Sequence, residues 1–274
     1  MRLLLLLILA VLAASARADE AFDAVLQARR QCAASAPPLQ RNAQLDDAAR
    51  RLADGTRLPD ALKASGYRAL RSFEWQLSGY PNAQAVAREL GSRHCSQLGT
   101  QGLAEAGVHR AGKSWWVIAA VPFAPPAAAQ SGDVAGRVLA LVNQARTQSR
   151  RCGSRSFGPA NALRLDPALG RAALVHAQAM AQGNFLAHEG RDGSTPAERA
   201  TKAGYDWRSV GENVASGQTT PERVVQDWLE SPEHCANIMD PGYMHMGVAF
   251  AVDRGSEGGI YWAQEFGRPW SASR

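Results

Sequence analysis

The chain has 274 residues, with 30 Lys and Arg against 25 Asp and Glu, a formal charge of +5. That length holds one large domain or two of about 100–130 residues each. The arginines are dispersed, with no run long enough to track a phosphate backbone, so the mild basic excess does not imply nucleic acid and no nucleic-acid partner is expected.

In chain order, Arg2 precedes an apolar run from Leu3 to Ala14, and Ala16-Arg17-Ala18 follows as a small-x-small cleavage site. Residues 1–18 therefore read as a secretory signal peptide, too short to span a bilayer. No later segment is long and apolar enough to cross one. The expected location is secreted or periplasmic. Four cysteines in an exported chain, Cys32, Cys95, Cys152 and Cys235, predict two disulfides, for which three pairings exist.

Residues 122–133 form a Pro/Ala-rich linker, and the segments on either side of it align. Gly66-Tyr67 precedes Glu74 as Gly204-Tyr205 precedes Glu212, with eight residues from Gly to Glu in both. Arg93-His94-Cys95 matches Glu233-His234-Cys235. Gly107-Val108 lies 12 residues after Cys95, as Gly247-Val248 does after Cys235. Residues 19–121 are thus expected to be a degenerate copy of residues 134–270. The repeat selects the pairing Cys32–Cys95 and Cys152–Cys235, one bridge per half.

The spacing predicts helices over 134–149 and 166–182, the second opened by the Asp166-Pro167 cap. Short helices follow Thr195-Pro196 and Thr220-Pro221. Residues 247–252 and 260–266 read as strands joined by a Gly-rich turn. Helices followed by a small antiparallel hairpin give an α+β class. Gly107-Val108-His109-Arg110-Ala111-Gly112-Lys113-Ser114 fits the phosphate-loop pattern, but a strand-like run follows Ser114, where that motif needs a helix. No nucleotide site is expected.

Two stretches carry the chemistry. Gly211-Glu212-Asn213-Val214-Ala215-Ser216-Gly217 reads as a tight loop, and Trp228-Leu229-Glu230-Ser231-Pro232-Glu233-His234-Cys235 contains a helix stop and an imidazole. A further imidazole, His188, lies in Phe185-Leu186-Ala187-His188-Glu189-Gly190. Two imidazoles and a carboxylate make a ligand set suited to Zn²⁺. Leu169 to Tyr205 spans 36 residues, whereas Leu45 to Tyr67 spans 22, and the extra stretch includes His188. The three-residue site therefore exists only in the second half. His176, matched by Leu52, and His245, matched by Glu105, are read as structural or solvated.

The order and wording of these segments resemble the bacterial branch of the CAP superfamily (cysteine-rich secretory proteins, antigen 5, pathogenesis-related proteins; SCP domains) over residues 135–268. The resemblance implies an α-β-α sandwich with a cleft lined by two His and two Glu, which binds a divalent cation in some members. His188, Glu212 and His234 match three of the four. The second Glu falls near Ser231 here, and the adjacent Glu230 is expected to point elsewhere. Asn213 is expected to order the loop through its side-chain amide.

No nucleophile elbow, His-Glu-x-x-His helix or reactive lone Cys is present, and Ser194, Ser209 and Ser216 are ordinary loop serines. The expectation is a protein that binds an extracellular or envelope ligand, or a divalent cation such as zinc, without turnover. The alternative is a metal-assisted hydrolase of envelope or extracellular substrates, with Glu212 as base or ligand.

Overall fold

The computed structural model describes residues 20–270, so the signal-peptide segment lies outside the described residues. The chain divides into two compact units, Met1–Phe123 and Ala124–Arg274.

The first unit runs α1 (20–32), β1 (Gln40–Arg41), α2 (Ala43–Ala53), α3 (Leu58–Ser65), β2 (Ala69–Ser78), α4 (Ala83–Arg93), α5 (Cys95–Leu98), β3 (Glu105–Ala111) and β4 (Ser114–Pro122). Its sheet has the order β1-β3-β4-β2. Side chains alternate across a strand, and β4 supplies both layers of the core. Trp115, Val117 and Ala119 pack with residues of α1 and α4, while Trp116, Ile118 and Ala120 pack with α2 and α3.

The second unit runs α6 (Ser131–Arg146), β5 (Arg150–Cys152), β6 (Arg155–Phe157), β7 (Arg164–Leu165), α7 (Pro167–Gly183), α8 (Pro196–Lys202), β8 (Trp207–Ser216), α9 (Pro221–Glu230), α10 (Pro232–Met239), β9 (His245–Val252) and β10 (Ile260–Pro269). The four-stranded sheet has the order β7-β9-β10-β8. One face, with Val214, Tyr261 and Ala263, meets Ala173, Ala177 and Met180 of α7. On the other, Trp228 of α9 bonds the Val214 carbonyl at 3.3 Å and Asn213 bonds the His234 carbonyl of α10 at 3.2 Å. Helices thus cover both faces of a mixed sheet, the α-β-α layering expected of the sequence.

The expected hairpin is the β9–β10 pair, widened on one side by β8 and on the other by the short parallel strand β7. The stretch Gly211–Ser216 is strand, not the tight loop its composition predicted. Its Gly, Asn and Ser content reads as turn, but β10 supplies a full ladder of partners, and tertiary pairing overrides propensity.

The two sheets also share register. Glu74 opposes Ile118 on β2–β4, and Glu212 opposes Glu265 on β8–β10. Each unit carries one disulfide, Cys32–Cys95 and Cys152–Cys235, with sequence separations of 63 and 83. In the chain-entropy account such loops are worth about 4–5 kcal/mol each. Gly107 and Gly247 mark the same close approach of helix to strand. A Cβ at Gly107 would strike the backbone of Leu45 and Asp46, and one at Gly247 that of Leu169 and Gly170. The phosphate-loop look-alike is the β3–β4 hairpin, turning at Gly112 with φ of 61° and no helix behind it.

The connection between the units is shorter than the expected 122–133. Strand β4 reaches Pro122, a 3₁₀ turn occupies Ala128–Gln130, and α6 starts at Ser131. Phe123–Ala127 is the stretch without regular structure. Limited proteolysis is expected to cut there first, giving two fragments that no disulfide joins. A first cut inside either unit would contradict the boundary.

Candidate functional site

Strand β8 positions Glu212 on the α7 side of the sheet, because Glu212 and Val214 are two residues apart and share a face. The preceding loop and α8 then close over it. Helix α8 opens with a capping box, in which Thr195 accepts from the Glu198 amide and Glu198 accepts from the Thr195 amide. That fixes Arg199 one turn into the helix, pointing inward with 3% of its side chain exposed. Its guanidinium donates to the Ser194 carbonyl at 2.7 Å, to the His188 carbonyl at 2.9 Å and to Oε2 of Glu212 at 2.7 Å. One arginine thereby holds both the loop bearing His188 and the carboxylate.

Nδ1 of His188 meets Oε1 of Glu212 at 2.8 Å, and the imidazole is 54% exposed. Glu212 itself is almost wholly buried, with 1% of its side chain exposed. Below it sits His176 of α7, whose Nε2 donates to the Ala187 carbonyl at 2.7 Å and stands 3.9 Å from Oε2 of Glu212. Glu265, directly across the ladder on β10, has a fully buried side chain. Among the described residues no donor group of another side chain or the backbone reaches its carboxyl oxygens; the carboxyl instead pairs with that of Glu212, and Nε of Arg199 lies 3.9 Å from Oε1.

The electrostatics follow from burial and neighbours. Desolvation first, and then the Glu212 charge, push the Glu265 carboxyl well above the usual carboxylate range. Two carboxylates this close in a dry interior do not both ionise. Burial works to raise Glu212 too, but the His188 hydrogen bond, His176 and Arg199 together hold it below its ordinary value. Glu212 is therefore the anion and Glu265 its protonated neighbour. The hydrogen bond to Glu212 raises the His188 imidazole. Burial lowers His176 and also His234, where His188 adds repulsion.

His234 is half-buried on α10, which packs along the outer strand β8. It is near enough to His188 for the two rings to influence each other, but it makes no direct hydrogen bond to Glu212. The backbone around it is tied to β8 by amide side chains. Asn213 donates to the His234 carbonyl at 3.2 Å and to Gln264 at 3.0 Å, and it accepts from Asn237 at 2.9 Å. Asn237 also donates to the Glu212 carbonyl at 3.0 Å. Asn213 acts as a bridge between strand and helix rather than within a loop. Glu230 is engaged with Gln226 at 2.8 Å on its own helix.

Of the three expected ligands, His188 and Glu212 touch and His234 stands beside them. Among the described residues no three His, Cys, Asp or Glu side chains are arranged to hold a metal ion. One carboxylate oxygen of Glu212 is paired with the interior guanidinium and the other with His188. Ser194 is drawn to Arg199, and none of Ser194, Ser209 and Ser216 hydrogen-bonds His188 or His234 among the described residues.

Arg199, Glu265 and His176 were not recognised as site residues from the sequence. A signal was present in the repeat. The offset that equates Tyr67 with Tyr205 sets Ala61 against Arg199, and the shared register sets Ile118 against Glu265. Leu52 stands against His176. Leu52, Ala61 and Ile118 lie in one apolar cluster of the first unit, while Glu74 is exposed. The covering loop that buries Glu212 has no counterpart there.

Residues 139–266 match the profile of the Cysteine-rich secretory protein family, CAP. The matched stretch lies within the second unit, which is accordingly similar to a CAP domain. The chain is similar to the uncharacterized protein YkwD of Bacillus subtilis (strain 168), at 34% identity over 104 residues, which is 38% of this chain and 38% of that protein. The chain thus matches little more than a third of that relative's length. Among solved structures, Na-ASP-1 is similar with a TM-score of 0.53 and 11% identity, over 90% of this chain and 87% of that one. An extracellular protein containing a SCP domain from Bacillus anthracis str. Ames is similar over 78% of this chain and 72% of that one, with a TM-score of 0.43 and 15% identity. No helix among the described residues is long and apolar enough to cross a membrane.

Proposed function

We propose that this chain is an exported CAP-domain protein that binds an extracellular or envelope ligand at the His188–His234 face without turning it over. The observation that carries the reading is the 2.7 Å contact between Arg199 and Glu212. A general base needs a free lone pair near the operating pH, and Glu212 is already engaged by a cation on one oxygen and an imidazole on the other. What the site offers to the outside is the half-exposed His188 ring with His234 beside it: polar, orientable donors and acceptors on a rigid support. Such a face suits recognition.

We further propose that the first unit is a copy of the same architecture from which the site has been lost. The shared strand order, register, disulfide position and helix-approach glycines support this. So does the likeness to Na-ASP-1, which extends over far more of the chain than the second unit. Export rests on the N-terminal apolar run.

The test is metal analysis combined with an activity assay. Purified protein equilibrated with micromolar Zn²⁺ and then dialysed is expected to carry less than one equivalent, and to hydrolyse neither peptide nor glycan envelope material. Stoichiometric zinc lost in His188→Ala, together with His188-dependent hydrolysis, would overturn the binding reading in favour of a metal-assisted hydrolase.

A further inference from the structure

A second cavity in the CAP unit lies away from Glu212, at the end of the sheet where β7 runs parallel to β9. Its volume is about 390 Å³, and its walls include Arg164, Pro241, Tyr243, Met244, His245 and Pro269. That size is within the range of small-molecule sites. Arg164 and His245 are cross-strand partners in the parallel ladder, so two nitrogen-rich side chains stand side by side. No carboxylate lines the cavity. Two acids lie nearby, each bonded to backbone amides: Asp240 accepts from the Gly242 amide at 2.7 Å, and Asp166 caps α7 at 2.8 Å.

The Arg164 guanidinium has no hydrogen-bond or ion-pair partner among the described residues, although arginines in folded proteins readily find one. His245 is oriented by its neighbour. The buried hydroxyl of Tyr205 lies 3.0 Å from Nδ1 of His245. Burial holds that phenol far above its ordinary value, so it keeps its hydrogen. His245 Nδ1 is the acceptor within its reach, and a buried hydroxyl satisfies its hydrogen. With Nδ1 accepting, Nε2 carries the ring hydrogen and is a donor.

Beneath the floor, the buried Arg146 adds positive charge. It donates to the carbonyls of Asn161 at 2.7 Å, Ile238 at 2.6 Å and Asp240 at 2.9 Å, and among the described residues it forms no ion pair. These bonds fix the wall segments at Asn161 and Asp240–Tyr243.

The first unit supplies an internal comparison. The ladder pair at the same place is Gln40 and Glu105. There the tyrosine, Tyr67, donates to Glu105 at 2.7 Å, and Asn42 does so at 2.9 Å. The same framework carries an acid in one unit and a cation beside an imidazole donor in the other. A neutral packing requirement does not demand that inversion.

We propose that this cavity binds the anionic group of a small organic acid or phosphate monoester, seated on the Arg164 guanidinium and the Nε2–H of His245. The remainder of the ligand lies against Met244, Pro241 and Pro269, which give the cavity its apolar wall. The ligand has to be compact, since the space holds about one ring and its substituent. The site is separate from the His188 face and does not depend on what binds there.

The experiment is a calorimetric or ¹H–¹⁵N NMR titration of the full oxidised chain with benzoate and, separately, with phenyl phosphate. The two probes share the ring and differ only in the head group. Saturable binding of either is expected, with benzoate alone assigning a carboxylate ligand and phenyl phosphate alone a phosphate ester. Arg164→Gln places the first unit's residue in the second and is expected to weaken binding by about tenfold or more with an unchanged melting temperature, because Arg164 is exposed. Arg164→Lys is expected to restore part of the loss, since it keeps the charge but not the fork. Gln40→Ala is expected to change nothing. Failure of both probes to saturate, or equal binding by wild type and Arg164→Gln, would overturn the proposal.

Discussion

Glu212→Gln is expected to destabilise the CAP unit by about 3–5 kcal/mol, whereas Glu74→Gln at the matching position of the first unit is expected to cost no more than about 0.5 kcal/mol. The two residues occupy the same register, so the contrast isolates environment. Removing the Glu212 charge takes away the 2.7 Å partner of Arg199, whose side chain is 3% exposed, and leaves only Glu265, 3.9 Å from Nε, to compensate it; breaking a buried ion pair is among the most costly single changes. It also removes the charge-assisted bond that orients His188. Glu74 is exposed, has no such partner, and loses nothing that water does not replace. The measurement is amide exchange of α7 and β8 against that of α2 and β2, which follows the two units separately. Equal losses in both variants would mean that the Arg199 contact contributes little, and the recognition reading would lose its support.

The opposite behaviour is expected of Glu265→Gln, through pH. Glu265 is held protonated in the folded state, whereas in the unfolded chain it ionises near the ordinary carboxylate value of about 4.3. Above that value the native state binds the extra proton, so stability falls as pH rises until the folded group ionises as well. While that difference lasts, the slope is about 1.4 kcal/mol per pH unit for one proton. Glu212, with its lowered value, has the reverse sign: its contribution is present above the unfolded value and is lost as pH falls through the folded one. Glutamine mimics the neutral acid and cannot titrate. Glu265→Gln is therefore expected to match wild type near about pH 4.5 and to become progressively more stable than wild type toward about pH 7. Parallel stability curves for the two proteins would show that Glu265 is ionised in the fold.

Much of this was legible from residues alone. The repeat gave the disulfide pairing, because two cysteines recur at fixed offsets from Gly-Val pairs whose glycines admit a helix backbone. His188 and Glu212 were named together by the family resemblance, as members of a ligand set rather than as a hydrogen-bonded pair. What was not legible was burial. Arg199 sits in Pro196-Ala197-Glu198-Arg199-Ala200, a stretch whose composition is that of a solvated helix, and only the loop folded over it makes it interior. Glu265 lies in a strand whose neighbouring members from Ile260 to Gly267 are apolar, aromatic or amide. Alternation alone placed it on a face without saying that a second carboxylate would oppose it. His176 was matched to Leu52, which correctly implied burial but hid its hydrogen bond to Ala187. The Gly211–Ser216 strand was obscured by turn-forming residues that pairing with β10 overrode.

On the proposal that the first unit is a copy of the second unit's architecture, the matched sets His176, Arg199, Glu265 and Leu52, Ala61, Ile118 bear on the history of the chain. Each set is self-consistent, and mixtures are not. An arginine alone among Leu52 and Ile118 would be stranded, and so would a lone Glu212 after the loss of Arg199. A route between the two states that changes one residue at a time therefore passes through a poorly folding intermediate, unless the covering loop is shed first and water takes over the role of partner. The first unit has no such loop, and Glu74 faces solvent. Loss of the loop then acts as a ratchet: once water has replaced the cover, the remaining charges drift to apolar residues, and regaining the site would require loop, arginine and second carboxyl to return together.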